Sequence, residues 1–264
     1  MRRRWPKVAL LLALACCFCA VAIAQTPPKS SGPFDGCAVE GVGGDPDLNT
    51  PKNRSVEPDA VSKITVAQMR KLPKVPRSDG KDRSAWPNSL ADRIEAQEKQ
   101  SVFFIGYVIH AKAEGKESSN CQLTAAKDHD VHVYVGDGPD DDASSSAIVE
   151  VTPRWRNTNP TWNAAEIQQL VTSGAQVRIT GFLLYDQEHW DMISKGQRST
   201  LWEIHPITNI EVQTKSGWME LSSYVGATGG QGLLVQNSAA APHLINVRTP
   251  AQTQAATRGA DQLP

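Results

Sequence analysis

In the middle of this 264-residue chain, carboxylates and imidazoles recur two positions apart: Asp130 with His132, and Glu203 with His205. Residues two apart on a strand point to the same side, so each pair would present both groups together. His110 ends another β-rich run, and Glu188 and His189 stand between two more. If His110, His132, Glu203 and His205 converge at one end of a barrel, they form a set able to hold Zn²⁺, with Zn–N bonds of about 2.0–2.1 Å. A metal-dependent hydrolase would follow. The same residues also suit polar faces and loop-anchoring hydrogen bonds, because no close pattern such as His-Glu-x-x-His occurs. His205 precedes Pro206, a restriction that suggests a structural kink.

Other chemistries find less support. Asp128, Asp130 and the run Asp137–Asp142 cluster oxygen ligands, but acids at alternating positions and a Glu at the twelfth are missing, so a solvated acidic turn is expected. There is no Gly-x-Ser-x-Gly nucleophile elbow and no Gly-x4-Gly-Lys-Ser/Thr phosphate loop. Apart from a possible zinc ion, the sequence calls for no cofactor.

These residues must be positioned by a set of strands. Val102–His110 is dense in β-branched and aromatic residues, and Asp130–Gly136 alternates, with Val131, Val133 and Val135 on one face and Asp130, His132 and Tyr134 on the other. A third strand is expected over 147–152, a fourth over 176–185 and a fifth over 201–212. Between the third and fourth, residues 163–173 read as an amphipathic helix: Asn163 with Glu166 forms the cap, Ile167, Leu170 and Val171 the apolar stripe, and Gly174 the stop. Upstream, short helices are expected over 62–72 and 89–99, the second with a Ser89/Asp92 capping box. Residues 25–60, rich in Pro, Gly, Asp and Asn, read as an irregular arm.

Three strands, a helix and two strands, in that order, resemble an OB-fold over roughly residues 100–213. The phrase Gly174-Ala-Gln-Val-Arg-Ile-Thr-Gly181 is similar to the usual entry into its fourth strand, and Gly106 and Gly181 fall where a small barrel must bend. Trp202-Glu-Ile-His-Pro-Ile207 resembles the signature of an uncharacterised family of exported bacterial proteins, which implies no reaction. The OB resemblance implies ligand binding on the second and third strands, a surface of Asp130, His132, Tyr134 and Glu150 flanked by Arg154, Trp155 and Arg156. Arginine beside tryptophan could stack a base or sugar, or anchor a protein. Equally, Trp155 and Trp162 could pack the helix onto the barrel. Secreted thermonucleases share this fold, but their spacing of acidic residues is missing here.

Composition bounds the rest. The chain is 40% hydrophobic and 21% charged, which suits one globular domain with appendages. Arg2, Arg3, Arg4 and Lys7, an apolar run from Val8 and Ala22-Ile23-Ala24 read as a signal peptide over 1–24. Its apolar run falls short of a comfortable membrane span. Removing it takes four of the 27 basic residues and none of the 28 acidic ones, so the mature chain would carry a net charge of −5. That balance weighs against general nucleic-acid binding. Cys37 and Cys121 would remain, and in an oxidising compartment they read as a disulfide contributing about 4–5 kcal/mol by loop entropy. The expected organisation is a leader (1–24), an arm with short helices (25–99), a mainly β OB-like barrel (100–222) and a disordered tail (223–264). The expected role is an exported, periplasmic or extracellular binding module for a protein, glycan or other envelope ligand. The alternative is a metal-dependent hydrolase or nuclease.

Overall fold

The computed structural model describes residues 37–228, so the expected leader and most of the expected tail lie outside the described residues. Five strands close into a barrel: β2 (Ser101–Ala113), β3 (Val131–Gly136), β4 (Ala147–Val151), β5 (Gln176–Tyr185) and β6 (Trp202–Thr214). Their order around the barrel is β2-β3-β4-β6-β5, and pairing of β5 with β2 closes the ring. Only the β4–β6 contact within that ring is parallel. This is the OB arrangement expected from the order of elements. Two strands add to it: β1 (Ser62–Ile64) runs parallel to β2, and β7 (Gly217–Glu220) forms a hairpin with β6.

The closure follows from the side chains. Val131, Val133, Val135, Val149, Val151, Ile204 and Val212 join Phe104 and Trp202 in one buried apolar core. Removing this surface from water is the main term favouring closure, at about 25 cal/mol per Å². Gly106 and Gly181 stand where backbones crowd. A Cβ on Gly106 would lie 2.3 Å from the Gly136 carbonyl oxygen, and one on Gly181 would lie 2.3 Å from that of Pro206. The register of β5 against β6 shifts on both sides of Gly181. The His205–Pro206 bond is cis.

Seven α-helices are present among the described residues, beside four short 3-10 turns: α1 (Pro46–Lys52), α2 (Val66–Met69), α3 (Asn88–Glu98), α4 (Pro153–Arg156), α5 (Ala164–Ser173), α6 (Trp190–Ser194) and α7 (Leu221–Thr228). No helix among the described residues is long and apolar enough to cross a membrane. As expected, α5 starts at an Asn163 cap, whose Oδ1 accepts from the Glu166 amide, and stops at left-handed Gly174. Its Ile167 and Leu170 enter the core, while Gln168 Oε1 accepts the Ala111 amide at 2.7 Å. That amide lies just past an irregularity between Val108 and His110, where the ladder to β3 is interrupted.

Several local expectations are corrected. The helix expected over 62–72 is strand β1 followed by the single turn α2, because Ser62–Ile64 adds to the barrel edge. The Asp137 carboxylate, expected in a solvated turn, accepts the Val66 and Ala67 amides that open α2. Helix α3 is preceded by Pro87 with no side-chain cap, so the Ser89/Asp92 box does not form. Residues 221–228 are helical and anchored by buried Leu221 and Tyr224, so order extends past the expected tail boundary.

The arm differs most from expectation. Residues 37–54 are packed along the barrel, and α1 buries Leu48 completely. Asp45 caps α1, its carboxylate accepting the Asp47 amide. Cys37 is bonded to Cys121 across 84 positions, in the loop between β2 and β3. The Asn53 amide donates to the Val39 and Ser119 carbonyls at 2.9 and 2.8 Å. Arg154 donates to Asn53 Oδ1 and the Cys37 carbonyl, and Trp155 Nε1 to the Arg54 carbonyl.

Candidate cation-binding site

Alternation along β3 and β4 sends His132 and Glu150 out of the barrel, away from the valine core. Register places them directly opposite each other. The outer sides of β6, of the β2–β3 loop and of the β5–β6 loop converge on the same place, and the arm covers it. Asp130, His132, Glu150, Asp186, Arg198, Glu203 and His205 are therefore all buried, although they face outward from the barrel.

The contacts form one network. His132 Nε2 lies 2.8 Å from Glu150 Oε1, and His205 Nδ1 lies 3.2 Å from Glu150 Oε2, so each oxygen of one carboxylate faces its own imidazole. His132 Nδ1 approaches Glu114 Oε1 to 2.9 Å, off the hydrogen-bonding direction, since neither atom makes a hydrogen bond. Behind His205, Glu203 Oε2 accepts from Nδ1 at 3.4 Å while Glu203 Oε1 meets Arg198 at 2.7 Å. Arg198 also reaches Asp186 at 3.1 Å, and Asp186 accepts from His189. From the arm, Lys52 places its ammonium 3.6 Å from Glu117.

Negative charge predominates. Among the described residues, the six carboxylates of Glu114, Glu117, Asp130, Glu150, Asp186 and Glu203 meet fixed cations in Lys52, Arg198, Arg154 near Asp130, and the half-exposed Lys112 against Glu114. The titration behaviour follows. Burial disfavours charge on His132, but Glu150 and Glu114 more than offset it and hold the imidazole well above its ordinary value. Burial and the neighbouring Glu117 push Asp130 up to about 7. Burial and Glu150 likewise raise Glu203. Burial would raise Glu150, yet His132 and His205 keep it well below the usual carboxylate range. For Lys52, the surrounding carboxylates, Glu117 foremost, outweigh burial and raise the ammonium well above its normal value.

Above this network lies a cleft of about 450 Å³, lined by Gly44, Lys52, Glu114, Lys116, Glu117, Glu188 and His189 among others. Four of those residues (Lys52, Glu114, Glu117 and His189) belong to the network itself. The cleft thus connects solvent to the buried carboxylates.

The site residues expected from sequence divide into groups. His132, Glu203 and His205 come together; His110 does not. The irregularity after Val108 turns His110 outward opposite Tyr134, where the rings sit 5.7 Å apart between centroids, one pair further along than His132. Asp130, His132, Tyr134 and Glu150 share the expected side of the sheet but are buried, and do not form an open platform. Arg154 and Trp155 hold the arm, and Arg156 donates to the carbonyls of Lys127 and His129. Lys52, Glu114, Glu117 and Asp186 escaped the sequence reading. They lie on loops or on the arm, and no spacing rule connects those to a strand face. The chain matches no known protein-family model and no curated protein sequence.

Proposed function

We propose that this protein is an exported OB-barrel binding module that takes a positively charged envelope ligand in the cleft between the β2–β3 and β5–β6 loops. OB barrels bind through this strand face and these loops. One observation carries the reading: the cleft opens onto buried carboxylates that outnumber their fixed cations, and buried charge seeks a partner. Spermidine serves as a probe of cation affinity. Saturable binding that weakens with salt is expected, with about a tenfold loss (~1.4 kcal/mol) in the pair Glu117→Gln and Glu188→Gln. No spermidine binding, or equal binding of heparin, overturns this reading.

A metal-dependent hydrolase is the second reading, favoured by the two imidazoles, His132 and His205, that flank Glu150, with Glu203 against His205. Among the described residues, the arginines a nuclease would use on phosphate are already engaged: Arg178 with Glu211, Arg198 with Glu203, Arg156 with backbone carbonyls, and Arg154 with Asn53 and the Cys37 carbonyl. Turnover of a phosphodiester that requires Zn²⁺ or Mn²⁺ and is lost in His132→Ala would favour it over the binding module.

A further inference from the structure

Beneath the cleft, three buried ligand-type atoms have no hydrogen-bond partner: Asp130 Oδ2, Glu150 Oε2 and His205 Nε2. Their residues are 1%, 2% and 0% exposed. Buried polar atoms are nearly always satisfied, so these orphans indicate a missing partner; Glu150 Oε2 stands 3.2 Å from His205 Nδ1, at the other ring nitrogen from the orphan Nε2. Asp130 Oδ2 and His205 Nε2 stand 4.0 Å apart, too far to bond each other. Two ligands at about 2.0–2.1 Å from a tetrahedral zinc are separated by roughly 3.3 Å, so little movement is needed to close on an ion.

A second group adjoins the first. Ligand atoms of Glu117, His132 and Glu150 lie within 4.8 Å of one another, as do those of Asp130, Glu150 and His205. Glu150 belongs to both, and its two oxygens face different imidazoles. We propose that Glu150 bridges two divalent transition-metal ions, one completed by Glu117 and His132, the other by Asp130 and His205.

The surroundings fit ligands held in place. Asn120 donates to Asp130 Oδ1 at 3.0 Å, which leaves Oδ2 aimed at the site. Glu203 accepts from His205 Nδ1, whereas Glu114 stands 2.9 Å from His132 Nδ1 as an ion-pair contact without a hydrogen bond. Carboxylates behind imidazoles orient metal-bound histidines. Mixed imidazole and carboxylate ligands suit Zn²⁺ or Mn²⁺ better than Ca²⁺. Bridged ion pairs stand about 3.5–4 Å apart, a separation one carboxylate spans. Three protein ligands leave each ion an open position, and the first site shares Glu117 with the cleft lining. Binding replaces any proton held between His132 and Glu150, so metal uptake releases protons to solvent. The centre uses Glu117, Asp130 and Glu150, carboxylates whose charge the cleft reading also counts, but it requires no organic ligand in the cleft.

The test uses the disulfide-intact chain, stripped with a chelator and dialysed against Zn²⁺ or Mn²⁺. Elemental analysis is expected to count two ions per chain, and the Mn²⁺ form to give the multiline electron paramagnetic resonance spectrum of a coupled pair. Glu117→Gln, a loop substitution, is expected to leave one ion; Glu150→Gln, checked for folding by circular dichroism, to leave none. Fewer than two ions in the wild-type chain, an uncoupled six-line spectrum, or two ions surviving Glu117→Gln overturns the proposal. Spermidine binding without metal binding would overturn this centre and leave the cation-binding module standing; metal binding without spermidine binding would do the reverse.

Discussion

The two sides of the same strands are both buried, but for opposite reasons. Inside the barrel, Val133, Val149 and Ile204 exclude water by apolar contact. On the outer side, His132, Glu150 and Glu203 are sealed by Lys52, Asn53 and the loop closed by the Cys37–Cys121 bond. The inner side is held by area, which is non-directional and tolerant of small changes. The outer side depends on each charge keeping its partner, because a buried charge left alone is strongly destabilising. A protein that needed only stability could have made that outer side apolar too. Retaining ions beneath a dedicated cover is consistent with a site.

Arg198, in the loop before β6, and Ile204, on β6, test this contrast directly. Arg198→Met strands Glu203 and Asp186 and should cost about 3–5 kcal/mol in urea unfolding. Ile204→Val, on the apolar side, should cost only about 0.5–1.5 kcal/mol. Equal costs would erase the distinction. The cover comes next. Cys37→Ser should lower stability by about 2–5 kcal/mol and speed amide exchange in β4 and β6 more than in α5. Unchanged exchange there would mean that the hydrogen bonds of Asn53 and Arg154 suffice to hold the arm.

The smallest effect lies at the rim. The Asp186 hydrogen bond, outweighing burial, raises His189 above its ordinary 6.5, so its contribution is fully present below that pH and fades as pH rises through the folded value. Because His189 is 39% exposed, screening keeps this below about 1 kcal/mol. The stability difference between wild type and His189→Ala should therefore shrink between mildly acidic and alkaline pH. A difference that grows with pH would refute the pairing.

The barrel was legible in the chain because alternation is local. Val131, Val133 and Val135 declare an inner face wherever the strand goes, and the Asn163 cap and Gly174 stop mark α5 from a dozen residues. The site was legible only in part. Asp130–His132 and Glu203–His205 announce a shared side by their spacing, and Cys37 and Cys121 were the remaining pair. His110 was misplaced because the pairing register sets it opposite Tyr134, one pair beyond His132 on the same outer side, and register is not written in the local pattern.

The residues alone determined which side of each strand is polar, since a two-residue period is a property of the backbone. Only the assembled fold decided that Glu150 stands opposite His132, that Glu117 and Lys52 arrive from elsewhere, and that the arm roofs them all. Register, loop convergence and burial arise from contacts between segments far apart in the chain, which no local pattern encodes.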